Sequence, residues 1–159
     1  MRDIFISHWA KEAEVALVLK DWIENIFGDI NVFVSSSEKN IKYGEKWEDT
    51  MMAALKRANV AIVLVSKHSY DRKWIHIETG FCLARELTLL IVRMDDLMPE
   101  DMGRPYDNYQ SLSTKSPLFA KKIIEALTEL LGKELNKKIG YDWMQREIEE
   151  KVDEVLKYA

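Results

Sequence analysis

Six consecutive residues, Val60-Ala61-Ile62-Val63-Leu64-Val65, carry no polar side chain, and four of them are β-branched. A strand of this kind leaves neither face in water, so it demands a sheet covered by helices on both sides. The remaining chain supplies those elements in alternation. Ile4-Phe5-Ile6 and Val32-Phe33-Val34 are short apolar runs closed by Ser7-His8 and by three serines, and they read as buried strands ending in loops. Between them Val15, Leu19, Trp22, Ile23 and Ile26 make one helical stripe, with Gly28 as its stop. A polar segment from Ser35 to Lys46 precedes a second helix marked by Trp47, Met51, Ala54, Leu55 and Ala58. After the central strand the pattern predicts a helix from about Trp74 to Arg85 and a fourth strand from Leu87 to Val92.

From Arg93 to Ser116 the chain is too irregular for a long element, with at most a short edge strand near Tyr109 to Leu112. Pro117 suits a first helical turn, and Ala120, Ile123, Ile124, Leu127, Leu130 and Leu131 form a stripe that stops at Gly132. A last amphipathic helix, from about Asp142 to Lys157, carries Met144, Ile148, Val152 and Val155 on one side. Right-handed crossovers between parallel strands need such intervening helices. The expected fold is therefore α/β, a flavodoxin-like doubly wound parallel sheet of about five strands with helices on both faces and a C-terminal helix. We divide the chain into a domain over residues 1–134 and an amphipathic helix over 135–159 that packs on the domain or on a partner. Ligands of such sheets gather beyond the carboxyl ends of the strands, which puts Ser7-His8, the segment Ser35 to Gly44 and the segment Ser66 to Glu78 on one rim.

The chemistry that is missing narrows the function. The first strand is not followed by G-x-G-x-x-G, no G-x-x-x-x-G-K occurs, and Ser7-His8 and Ser66 stand where a phosphoacceptor receiver would need acidic residues. His8, His68 and His76 lack metal-ligand spacing, and Cys82 is the one cysteine, a buried small hydrophobe, so no metal site is predicted. The 23 lysines and arginines are interspersed with 27 acidic residues, without the basic stripe of a nucleic-acid footprint. With no long uncharged stretch, neither a signal peptide nor a membrane span is expected, and the protein should be soluble and cytoplasmic.

The opening Asp3-Ile4-Phe5-Ile6-Ser7-His8 resembles the first-strand box of the Toll/interleukin receptor (TIR) domain family, in its prokaryotic branch. Val32-Phe33-Val34, the polar loop to Gly44 and Trp47 resemble the second strand, the BB loop and the next helix. Val60 to Ser66 followed by Trp74-Ile75-His76-Ile77-Glu78 resembles the third strand and the W-x-x-x-E segment of NAD-cleaving members. The likeness runs from about Asp3 to Leu131. It implies an NAD+ glycohydrolase or cyclase in prokaryotic defence signalling, with NAD+ as substrate, no separate cofactor, and nicotinamide plus ADP-ribose or a cyclic isomer as products. It also implies self-association through the BB loop, with Ile41, Tyr43 and Gly44 as assembly residues, and an effector protein or fused domain as partner. The alternative is a non-catalytic TIR scaffold that works by self-assembly.

Within that resemblance Glu78 is the catalytic candidate, and Ser7, His8, Ser35, Trp47 and Trp74 are the substrate-binding candidates. Residue by residue, a plainer reading stands beside each. Glu78, early in its helix, also suits a partner for the helix dipole, and Trp74 and Trp47 also suit the core. Ser7 also suits a helix-entry cap, His8 a solvent-facing loop position, and Ser35 to Ser37 ordinary turn chemistry. A lone carboxylate nevertheless fits NAD+ cleavage, because nicotinamide leaves a cationic pyridinium already neutral and needs no second carboxyl group to protonate it.

Overall fold

The computed structural model describes residues 3–35 and 47–158, apart from the side chains of Trp47 and Glu48. Five parallel strands stand in the order β2-β1-β3-β4-β5, with β1 Asp3–Ser7, β2 Asn31–Val34, β3 Ala58–Val65, β4 Thr88–Arg93 and β5 Ser111–Ser113. This is the flavodoxin-like arrangement, and the chain reverses direction across the sheet between β1 and β3.

Strand periodicity of two then sorts the core. Ile4, Ile6, Ile62, Leu64, Leu90 and Val92 bury one sheet face against α1 (Ala13–Phe27), α5 (Phe119–Leu131) and α6 (Tyr141–Lys157). Phe5, Ala61, Val63, Val65 and Ile91 bury the other against α2 (Trp47–Arg57) and α3 (Lys73–Ala84). Val60 to Val65 are all at most 2% exposed, as the opening run requires. Gly28 (φ 73°) and Gly132 (φ 62°) end α1 and α5 in the left-handed region, where a Cβ is unfavourable.

Differences from the sequence pattern lie where period cannot be read. The irregular stretch contains a single-turn helix, α4 (Pro99–Met102), and a 3-10 turn at Tyr106–Asn108, which bury Met102 and Tyr106 on the α3 side of the sheet. The edge strand forms at Ser111–Ser113, shifted toward the C-terminus. Pro117 falls in the turn before α5, whose cap is Leu118, so its fixed φ shapes the approach and not the first helical turn. Among the described residues, no helix is long and apolar enough to cross a membrane.

The C-terminal helix α6 packs along α1 and α5, with Met144, Ile148, Val152 and Val155 joining their core. Polar bonds fix its position. Gln145 accepts from the Ala120 N–H (2.9 Å), at the start of α5, and donates to the Ser116 carbonyl (3.0 Å) and the Glu149 carboxylate (2.8 Å). Trp22 donates from α1 to Glu147 at 2.7 Å. Gln145→Leu keeps the volume but strands the Ala120 N–H, and should lower unfolding free energy by about 1–3 kcal/mol in a denaturant titration.

Candidate functional site

The buried face of α3 is drawn by Ile75, Glu78, Thr79 and Cys82, at i, i+3, i+4 and i+7. Glu78 therefore points into the sheet as a core residue would, and it is fully buried. It is the sixth residue of α3 and lies beyond the first turn, which removes the geometric basis for a simple helix-dipole role.

Two serines meet it. Ser7 ends β1 on the same face as Phe5, and Ser35 follows β2, where its N–H donates to the Ile6 carbonyl at 3.0 Å and extends the ladder by one residue. The two hydroxyls thus arrive side by side from neighbouring strands. Ser7 Oγ donates to Glu78 Oε2, and Ser35 Oγ donates to Glu78 Oε1 at 2.6 Å. Both serines are buried, so neither acts as a free turn or helix-entry hydroxyl. Burial pushes the Glu78 carboxyl up to about 7, against the opposing pull of Ser35, Ser7 and the Trp74 side chain, which favour the charged form. The result is a carboxyl group that changes charge near neutrality.

Trp74 stands one helical turn before Glu78, half-buried, and packs against the core on that side of the sheet. It lines a cleft of about 470 Å³ with His8, Trp9, Asp71, Arg72, Lys73 and Ile75. His8 is 1% exposed and is not the solvent-facing loop residue its position suggested, because the chain turns directly into the 3-10 turn Ala10–Glu12. Trp47 begins α2, and its side chain lies outside the described residues, as do Ile41, Tyr43 and Gly44. Phe5, Ile6 and Cys82 are core, and burial raises the Cys82 thiol to about 12, which leaves it unreactive at neutral pH.

A second buried carboxylate escaped the sequence reading. Glu12 is fully buried, its Oε2 accepts from Ser66 Oγ at 2.6 Å, and Ser66 N–H donates to Ser69 Oγ at 2.8 Å. These bonds tie the turn after β1 to the loop after β3 across the switch between the two strands. Burial raises the Glu12 carboxyl, with Ser66 and Ser69 opposing. The signal was present: Glu12 extends the α1 stripe of Val15, Ala16 and Leu19 backwards by one turn.

A carboxyl whose folded pKa lies above its unfolded value stabilises the protein fully below the unfolded pKa, near 4.5, and loses that contribution as pH rises toward 7. Wild type should therefore lose stability relative to Glu78→Gln between about pH 4.5 and 7, by up to about 3 kcal/mol. Denaturant titrations of both proteins across that window measure the difference, and parallel pH profiles would contradict the assignment.

The TIR domain family model matches residues 4–131, from β1 to the last residue of α5. No curated protein matches the chain. Among solved structures, the chain is similar to the TIR domains in the structure of the activated Roq1 resistosome directly recognizing the pathogen effector XopQ. The two are 17% identical with a TM-score of 0.47, over 96% of this chain and 84% of that one. The family match extends over most of the sequence and over all five strands, so this chain belongs to the TIR domain family.

Proposed function

We propose that this TIR domain cleaves the nicotinamide–ribose bond of NAD+ and that Glu78 is its catalytic carboxylate. The observation that carries the reading is a buried carboxyl with a pKa near 7, held by two serines at adjacent strand ends beside a cleft walled by Trp74. The C1′–N1 bond breaks with its electron pair passing to the nicotinamide nitrogen, which neutralises the pyridinium. The positive charge that builds on the ribose is stabilised by ionised Glu78. Water adds at C1′ and gives up a proton, yielding ADP-ribose; an adenine nitrogen or a ribose oxygen held at the same carbon yields a cyclic isomer. Prokaryotic defence signalling is the setting in which this reading places the activity.

The glutamate acts in its charged form, so turnover should rise with pH through about 7. Glu78→Gln preserves shape and removes charge, and it should lower nicotinamide release by roughly a hundredfold or more. Full turnover in a folded Glu78→Gln protein would sink the proposal. A folded wild-type protein that releases no nicotinamide would instead leave the self-assembling scaffold as the better reading.

In the conformation described, Glu78 is fully buried, so substrate must uncover it. Ser35, which bonds to Glu78, is also the residue from which the segment bearing Ile41, Tyr43 and Gly44 departs. We take self-association through that segment as part of the proposal, since the segment follows directly in sequence on Ser35, whose hydroxyl donates to Glu78. Turnover per molecule should rise with protein concentration, and Tyr43→Ala should abolish the rise with little change in melting temperature. Flat turnover from dilute to concentrated monomeric protein would rule it out.

A further inference from the structure

Among the described residues, Glu12 is the one fully buried acid besides Glu78, and the proposed reaction gives it no task. It extends the apolar stripe of α1, where a leucine would fill similar space without burying a polar group. Among the described residues it forms no ion pair and its buried Oε1 has no hydrogen-bond partner, so charge pairing does not explain a carboxyl here. What the group supplies is an acceptor. Its Oε2 accepts from Ser66 Oγ at 2.6 Å, and the Ser69 hydroxyl adds to that pull. The titratable groups that act on it are His68, in the same turn as the serines, and Asp95, after β4, with opposing signs.

The two serines are the pivots of the turn that launches α3. Tyr70 N–H donates to the Ser66 carbonyl at 3.0 Å, Arg72 N–H to the Ser69 carbonyl at 3.1 Å, and His68 N–H to Ser66 Oγ at 3.1 Å. The helix has no side-chain cap at Arg72 and no acidic residue in its first turn, so its own sequence does little to fix where it starts. That start is fixed by the turn, and the turn hangs on Glu12. On the other side, Glu12 N–H donates to the Trp9 carbonyl at 2.8 Å, which anchors the acid in the turn after β1. A second tie crosses the same gap at the surface, where the Arg72 guanidinium lies 4.0 Å from the centroid of the Trp9 ring. Ser7 and Ser35 thus hold Glu78 from the strand ends, while Glu12 holds the helix that carries it from the loop side.

We infer that Glu12 is a positioning residue for Glu78: through Ser66 and Ser69 it sets where α3 begins and so keeps the Glu78 carboxyl seated, away from water, against Ser7 and Ser35. The inference rests on the proposed NAD+ cleavage for the reaction it serves, while the seating of Glu78 stands on these hydrogen bonds alone. Because Glu12 acts as an acceptor and not as a charge, an amide at the same position performs the same task.

Carbon-13 NMR of protein labelled at the glutamate carboxyls tests the seating without substrate, with the Glu78 signal assigned by its absence from Glu78→Gln. In wild type that signal should titrate at about 7. Glu12→Leu should move the midpoint down toward the ordinary value of 4.5, because desolvation outweighs the serine bonds in setting it and a displaced helix admits water. Ser66→Ala removes a single oxygen from the network and should move it the same way, which keeps the test open if Glu12→Leu does not fold. In NAD+ cleavage the same variants should lower kcat at least about tenfold and change KM by less than about threefold, and Glu12→Gln should recover both the midpoint and kcat. A role in stability alone would lower the melting temperature and leave midpoint and kcat in place, and that result, or no recovery in Glu12→Gln, would overturn the inference while the glycohydrolase reading stood. A midpoint that moves as expected in a protein that releases no nicotinamide would keep the seating of Glu78 and discard the glycohydrolase reading.

Discussion

The structure depends on two-sided burial of β1 and β3. Both strands lie inside a parallel sheet with helices above and below, so each side chain is committed by the period of two to one layer or the other. That commitment sends Ile4 and Ile6 toward α1 and leaves Phe5 and Ser7 facing α3. A slip of one residue in β1 would turn Ser7 to the opposite layer and bring an isoleucine against Glu78. The site is therefore a consequence of sheet register before it is a matter of side-chain chemistry.

Inside that frame Glu78 occupies a position that packing alone would give to an apolar residue. Burying a carboxyl without partners is costly, and the two serines offset part of the cost while desolvation still dominates, as the upward shift to about 7 records. Ordinary surface glutamates are ionised well below neutrality and do not switch within the working range. Glu12 repeats the theme one strand away, where Ser66 satisfies one oxygen and burial again raises the group. Two buried acids thus stand near the strand ends, one bonded along the β1–β2 edge and the other joining the β1 and β3 loops. The first faces the side of the sheet with the Trp74 cleft.

The family match brings a fold and a set of activities that the family includes, but the residues decide which applies. Here the carboxyl, its serines and the cleft lie on the rim where doubly wound sheets bind ligands.

The order of strands and helices was legible in the sequence because each long element carries a period: the run Val60 to Val65, the α1 stripe and the α5 stripe are local signals that burial on known faces enforces. The short pieces, α4 and the turn at Tyr106–Asn108, span too few residues for any period to show. Glu78 was identifiable as a candidate from the W-x-x-x-E resemblance, and Ser7, His8, Ser35 and Trp74 were identifiable as its neighbours on the rim. Their contacts were not, since Ser7 and Ser35 reach Glu78 over 71 and 43 residues of chain and only sheet register joins such distant positions. The same holds for Trp9 beneath Arg72 and for Glu12 against Ser66. Sequence by itself determined which side chains were available and which faces had to be buried; tertiary structure alone decided which polar groups those faces would trap together, because a hydrogen bond in the core depends on where two elements cross and no local pattern encodes the crossing.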